Sequence, residues 1–245
     1  TQSTAGGLRH RLFARSITGT GSATPIASGG AAFGDIVDYK YSTFGGKIAF
    51  IEDRDTSGQF ELYLAPPDGS SGLIKVNSPM AADKDVQRFL FSPNCKWLAF
   101  ETNIPGPAAA EGELFIYSVP GGGAPLKVNQ DASGNAGEFA FSPDSSLLVY
   151  QQSPQASSDF DLYVRQTNLS DIERKINGIA TAGESIESFA IGSQSRYVAY
   201  IGDQPGVSNL YLSLLDGSGA EQRVNPAGQL AAAILAAPIE LKAAA

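Results

Sequence analysis

The stretch FSPDSSLLVY fills residues 141–150, and FSPNCKWLAF fills residues 91–100. Two nearly equal ten-residue words standing fifty apart mark a tandem repeat, and a repeat decides a fold before local propensity does. Fifty residues further out on either side lie YSTFGGKIAF at 41–50 and IGSQSRYVAY at 191–200, so Phe50, Phe100, Tyr150 and Tyr200 close four equivalent segments. A second landmark follows each one: ELYLAP from Glu61, ELFIYS from Glu113, DLYVRQ from Asp161 and NLYLSL from Asn209. Then come KVN (Lys75–Asn77), KVN (Lys127–Asn129), KIN (Lys175–Asn177) and RVN (Arg223–Asn225). Upstream of each segment sit DIVDYKY, DVQRFLF, AGEFAF and SIESFAI. Four ordered landmarks in four copies exclude chance similarity of short words.

Each landmark is short, rich in aromatic and β-branched residues, and bounded by Gly, Pro, Ser, Asn or Asp, which is the strand signature. Period two is visible: Phe89 and Phe91 share a face, as do Phe139 and Phe141, and large Leu98 and Phe100 oppose small Ala99. Val198 and Tyr200 repeat that pattern against Ala199. A large face and a small face on one strand suit a sheet packed on both sides by other sheets. SPN and SPD set a tight turn between strands one and two. Asp68-Gly69, Gly121–Gly123 and Asp216-Gly217 mark the turn between strands three and four. No stretch carries a helical stripe.

Four antiparallel strands per repeat of about fifty residues predict an all-β chain, a β-propeller of four-stranded antiparallel blades. The ends set the blade count. Arg11–Phe13 stand fifty residues before Glu61–Tyr63, and TPIAS at 24–28 aligns with IKVNS at 74–78. The chain thus begins with strands three and four of a blade. Ile234, Ala237 and Ile239 fall where Ile186, Phe189 and Ile191 fall in the preceding copy, and so supply a first strand. That gives five blades, four whole and one shared by the two ends, with residues 11–28 expected beside a strand from 232–241; a four-bladed propeller with loose ends is the alternative. The domain reading is a tail at 1–8 and one propeller domain at 9–242, with repeats at about 35–84, 85–134, 135–182 and 183–231, and a partial blade of 9–34 plus 232–242.

FSPDSSLLVYQQ, followed by DLYV and a basic–apolar–Asn close, resembles the TolB-like propeller repeat of bacterial envelope and secreted proteins; FSPNCKWLAF and ELFIYSVPGGGAPLKVN resemble it too. The likeness covers about residues 35–225 and, weakly, 9–34. It implies the fold and an envelope location. The chain departs from TolB itself in having no separate α/β domain before the propeller, longer units, and Asn where that family more often closes a unit with a small hydroxyl residue, so no TolB binding residue is carried over.

Net charge is −8, and only 17 % of residues are charged while 27 are Gly, which fits a turn-rich β protein. An acidic propeller lacks the basic stripe that nucleic acid needs, so no nucleic-acid partner is expected. No transmembrane segment is visible, AAAILAAP at 231–238 being far too short. No signal peptide is visible either, and TQSTAGG suits a mature chain whose signal was removed. The single Cys95 excludes an intrachain disulfide and reads as a structural thiol in the turn before strand two. The single His10 has no nucleophile motif beside it, and no G-x-S-x-G elbow exists, so a Ser-His-acid site is not expected. Cys and His are too few for a zinc cluster.

Two acidic patterns remain. Asp38, Glu138 and Glu187 lie on first strands, with Arg88 at the matching place of the second repeat, and a glycosidase needs two opposed carboxylates. Asp53, Asp55 and Ser57, followed by Gly58, have the alternating oxygen spacing of a calcium loop, although Leu64 stands where the bidentate Glu belongs. Calcium is accordingly the one cofactor considered, against a plain polar hairpin. Asn77, Asn129, Asn177 and Asn225 read as structural residues at a strand exit. Asn168-Leu169-Ser170 is a glycosylation sequon of a kind common by chance. The reading that follows is a chain that is not an enzyme: an interaction or scaffold propeller of the bacterial periplasm or surface. Its partner would be another protein or protein complex, peripheral to a membrane assembly, and the loop ETNIPGPAAAEGE at 101–113 is a candidate docking arm. The alternative is a carbohydrate-active or glycan-binding propeller using channel carboxylates.

Overall fold

The computed structural model describes residues 2–4, 7–18, 21–26, 34–70, 72–103, 112–120, 122–130, 135–153, 159–178, 185–204 and 207–225. Among them there are strands and turns and no helix. Four sheets hold four antiparallel strands each, in sequence order, as expected from the four landmarks. The first blade is β5 (Ile36–Tyr41), β6 (Ile48–Glu52), β7 (Glu61–Ala65) and β8 (Ile74–Lys75). The second is β9 (Val86–Phe91), β10 (Trp97–Thr102), β11 (Glu113–Ser118) and β12 (Leu126–Lys127). The third is β13 (Asn135–Phe141), β14 (Leu147–Ser153), β15 (Asp161–Gln166) and β16 (Arg174–Lys175). The fourth is β17 (Ser185–Ile191), β18 (Tyr197–Gln204), β19 (Val207–Leu214) and β20 (Gln222–Arg223). Two short hairpins precede them: β1 (Gln2–Thr4) with β2 (Gly7–Arg9), and β3 (Phe13–Ala14) with β4 (Thr24–Pro25). The fold is a multi-blade β-propeller. Residues 232–242, expected to complete the shared blade, lie outside the described residues, as do 104–111 of the long second-blade loop.

The repeat reaches below the level of strands. Each first strand carries one residue more than the second strand opposite it, a β-bulge at 37, 87, 137–138 and 187. After the bulge the large residues pair: Tyr39 with Phe50, Phe89 with Phe100, Phe139 with Tyr150, and Phe189 with Tyr200. Second-strand aromatics then stack on third-strand aromatics, Phe50 on Tyr63, Phe100 on Phe115, Tyr150 on Tyr163 and Tyr200 on Tyr211, with ring centres 5.3–6.0 Å apart.

The repeated Asn is a clamp. The side-chain oxygens of Asn77, Asn129, Asn177 and Asn225 accept the backbone N–H of Leu62, Leu114, Leu162 and Leu210 at 2.8–2.9 Å. The residue before each Asn donates its own N–H to the carbonyl of the same Leu at 2.8 Å. One leucine of each third strand is thereby held at both backbone groups, beyond the two-residue fourth strand. The sequence places these Asn at a strand exit; the structure shows their side-chain oxygens satisfying the neighbouring strand, while the Asn77 amide also donates to the Ser78 carbonyl at 3.2 Å.

Blades are joined by a second repeated device. Val86, Ala136 and Ile186 donate their N–H to the carbonyls of Phe60, Gly112 and Phe160 in the preceding blade, at 2.8–2.9 Å. Asp85 and Ser185 accept the N–H of Phe60 and Phe160 in return. At the start of the chain Ile36 bonds the carbonyl of His10, and Asp35 accepts the His10 N–H at 2.8 Å. Ile26 bonds the Leu12 carbonyl as Val76 bonds that of Leu62. The β3–β4 pair is therefore strands three and four of a half blade, fifty residues ahead of β7–β8. It packs closely on the first blade: a Cβ on Gly69, whose φ is +67°, would meet Thr24 Cγ2 at 2.6 Å and the Pro25 carbonyl at 2.8 Å.

The chain divides into two compact units, one of Thr1–Phe91, Cys95–Ala110 and Phe115–Leu126, the other of Ser92–Asn94, Glu111–Leu114 and Lys127–Ala245. In the first, one core joins Leu12, Ile26, Phe50 and Tyr63, and another joins Ile51, Leu62, Phe89 and Phe100. In the second, Val149, Leu162, Ile186, Tyr200 and Tyr211 form the core between the third and fourth blades.

Candidate functional site

The first strands of the blades differ in one respect that their sequences only hint at. In the second and third blades Phe89 is 0 % and Phe139 6 % exposed. The equivalent Tyr39 of the first blade is 61 % exposed, and Tyr41, equivalent to Phe91 and Phe141, is 57 % exposed. Phe89 is covered because Ala49 and Ile51, on the second strand of the preceding blade, share its core. The half blade before Tyr39 offers no described strand at that position. Val37, on the bulge, and Phe44, in the following turn, are exposed as well, and Phe13 of β3 is 54 % exposed. A cleft of about 510 Å³ runs along this edge, lined by His10, Arg11, Leu12, Asp35, Ile36, Val37 and Tyr39. One signal in the sequence marks this copy. It writes Tyr-x-Tyr where the next two write Phe-x-Phe, and a tyrosine hydroxyl suits a face left open to water.

The charges around the cleft are held in place. His10 Nδ1 lies 2.9 Å from Asp35 Oδ1, and the Asp35 N–H donates to Asp53 Oδ1 at 2.7 Å. Lys40 donates to the Phe89 carbonyl at 2.6 Å, stands 4.7 Å over the Phe89 ring and is 3.6 Å from Asp38.

The other residues singled out in the sequence go to separate places. Of the calcium-loop candidates, Asp53 is buried, with one oxygen on the Asp35 N–H and the other on the Gly58 N–H at 3.0 Å. Asp55 accepts from Lys75 at 3.0 Å, and that bond holds its carboxyl below the usual range against a smaller effect of burial; Ser57 is exposed. Lys75 also reaches Glu61 at 2.5 Å, a cross-strand pair repeated by Lys127 with Glu113 and by Lys175 with Asp161. No group of three or more His, Cys, Asp or Glu suited to a metal occurs among the described residues. Of the first-strand carboxylates, Asp38 lies beside Lys40, Glu138 is exposed, and Glu187 sits on the bulge, one place off register, accepting from the Ser208 hydroxyl at 3.3 Å. Arg88 pairs with Glu101 at 2.5 Å; burial pushes that carboxyl up, with Arg88 opposing. Asn168 caps its own turn by accepting the Ser170 N–H.

Cys95 is buried in the place that Ser145 and Ser195 occupy in the next two copies, all three with left-handed backbone. The Ser145 and Ser195 hydroxyls accept the Asn94 and Asp144 N–H of the preceding turn at 3.0 Å, and the Cys95 sulfur lies 3.9 Å from the Thr43 hydroxyl. The thiol thus stands in for a hydroxyl that latches one blade turn to the next.

No protein-family model matches the sequence. A comparison with curated proteins returns no match. Solved structures do match. Dipeptidyl peptidase 4 of Porphyromonas gingivalis aligns with a TM-score of 0.60 at 13 % identity, over 79 % of this chain and 33 % of that one. Prolyl oligopeptidase B of Galerina marginata aligns at 0.54 and 13 % identity, over 78 % of this chain and 31 % of that one. TolB of Acinetobacter baumannii aligns at 0.47 and 13 % identity, over 79 % of this chain and 44 % of that one. The chain thus spans a third to under half of the length of these three structures. Repeat landmarks, sheet order and the alignments above a TM-score of 0.5 together make the fold a β-propeller, with landmarks that resemble TolB-like repeats. The expectation that the chain is not an enzyme is corrected by the same comparisons. Two of these matches are to peptidases, so neither the propeller nor the lack of a local catalytic motif marks the protein as non-catalytic.

Among the described residues no helix is long and apolar enough to cross a membrane, which says nothing of a β-barrel.

Proposed function

We propose that this propeller is a polypeptide-binding scaffold, a subunit or module of a larger assembly at the bacterial envelope. One observation carries the reading: the apolar strip Val37, Tyr39, Tyr41 and Phe44 lies open on the first blade, while its counterparts Phe89 and Phe139 are buried. A contiguous apolar strip rimmed by fixed charges is a feature of protein-contact surfaces, and tyrosine supplies contact area with few rotamers to freeze. The resemblance of the repeat landmarks to TolB-like repeats supports the envelope location. The acidic balance of the chain supports protein over nucleic acid as partner.

The test is native purification from the source organism beside the double variant Tyr39→Ser/Tyr41→Ser. The expected result is co-elution of the wild type with a larger assembly in fixed stoichiometry, and loss of that co-elution in the variant at unchanged melting temperature. A wild-type protein that elutes alone would overturn the reading, as would a variant that stays in the assembly.

A further inference from the structure

The turn from β15 to β16 in the third blade is written differently from the same turn in the first and fourth blades. Those two read Asp68-Gly69-Ser70 and Asp216-Gly217-Ser218, and this one reads Asn168-Leu169-Ser170. All three take one shape. The side-chain oxygen of Asp68, Asp216 or Asn168 accepts the N–H of the Ser two places on, at 2.8–3.0 Å. The middle residue is left-handed in each, with φ of +67° at Gly69, +68° at Gly217 and +53° at Leu169. We propose that Asn168 is an acceptor site for an N-linked saccharide. The inference rests on the envelope location proposed above.

The turn asks only for an acceptor oxygen, which Asp supplies in two copies and Asn in the third. What Asn adds is a carboxamide nitrogen, and the fold makes no use of it: Asn168 Nδ2 donates to no described residue. Asn168 and Ser170 are both exposed. The change from Gly to Leu guards that nitrogen. An Asn followed by Gly loses its amide readily, because the next backbone nitrogen closes on the side-chain carbonyl to a succinimide, and a bulky side chain hinders that closure. Leu is strained in the left-handed region where Gly is at ease. Arg165, buried, pins the strained stretch, donating to the carbonyls of Leu169 at 3.3 Å and Asp171 at 2.8 Å. At the place of Arg165 the first and fourth copies have Ala65 and Ser213. Asn-x-Ser with x other than Pro is the pattern at which an Asn carboxamide takes a saccharide. The donor is a saccharide carried on a membrane lipid diphosphate, and a transferase brings the two together. The Asn168 nitrogen attacks the anomeric carbon. A C–N bond forms as the C–O bond to the diphosphate breaks, the lipid diphosphate leaves with the electron pair, and the nitrogen gives one proton to a base of the transferase.

Trypsin cuts after Arg165 and Arg174 and releases residues 166–174, QTNLSDIER. In protein purified from its native source, mass spectrometry should find this peptide carrying the added mass of sugar residues, placed on Asn168 by fragmentation. The same chain made in a cytoplasm without the transferase is the unmodified reference. Asn168→Asp, which restores the residue of the other two copies, should remove the added mass. In the unmodified chain it should leave the urea midpoint unchanged, because the turn keeps its oxygen. Ser170→Ala should also remove the added mass, and Ser170→Thr should retain it. A native peptide of unmodified mass overturns the proposal, as does added mass that survives Asn168→Asp or lies on Thr167 or Ser170. Added mass indifferent to Ser170→Ala overturns it too, since the transfer would then not read the Asn-x-Ser pattern. A fall in the urea midpoint of Asn168→Asp would show that the fold uses the amide nitrogen after all, and would remove the ground of the proposal. None of these outcomes bears on polypeptide binding, which native co-elution reads separately.

Discussion

At the scale of single residues, the turn that opens the sequence argument explains its own letters. In FSPDSSLLVY the Ser142 hydroxyl donates to Asp144 at 2.6 Å, and the Ser146 N–H and hydroxyl donate to the same carboxylate at 2.8–3.0 Å. Burial tends to raise the Asp144 carboxyl, but these bonds outweigh it and hold the group below its ordinary value of 3.8. A depressed carboxyl stabilises the fold above its unfolded pKa, and that contribution is lost as pH falls through the lower folded value. Asp144→Ala should therefore cost about 1 kcal/mol at pH 7, as expected for hydrogen bonds at an exposed turn. In urea titrations the gap from wild type should close below about pH 3.8. A gap of constant size across that range would mean that the side chain acts through something other than its charge.

At the scale of elements, the Asn clamp is the feature most directly open to measurement. Asn129 and Leu114 are both 0 % exposed, so removing the side-chain oxygen strands a buried N–H with no water to replace it. Asn129→Ala should lower stability by about 1–3 kcal/mol in urea unfolding, the cost of an unsatisfied buried donor. Asn225→Ala, at the half-exposed end of the fourth blade, should cost less, because water can reach the freed Leu210 N–H. Equal losses at the two sites would rule out burial as the cause. The bulge at the same point of every first strand belongs to this scale as well. It puts Glu187 one place out of register with Asp38 and Glu138, a displacement that counting along the sequence at fifty residues does reveal once the bulge is known.

At the scale of the whole molecule, net charge and the exposed aromatic strip act against each other. The chain carries −8 at pH 7, and its isoelectric point is near 4.7. Charge repulsion keeps apolar patches of different molecules apart, and it vanishes as the pH approaches that point. Self-association measured by light scattering should therefore peak near pH 4.7, and Tyr39→Ser/Tyr41→Ser should reduce the peak. A peak of the same height in the variant would show that the strip is not what drives association.

The repeat, the strands, their order and the half blade at the start were all legible in the sequence, because each rests on local patterns written several times. Alternation of large and small residues fixes a strand wherever it occurs, and four copies in one register fix how the strands follow one another. The roles of Asp53 and Asp55 were not legible. An alternating Asp-x-Asp-x-Ser spacing serves an ion or a turn equally well, and only the positions of the Asp35 and Gly58 amides and of Lys75 show what these carboxylates hold. The first blade's open face was equally out of reach. Tyr39 and Phe89 occupy the same place in their repeats, and their burial differs because of what packs over them, a neighbour that lies close in space and far away in the chain. The sequence by itself determined a propeller; the tertiary structure decided which of its copies keeps an exposed apolar face, because burial depends on what packs over a residue and not on its place in the repeat.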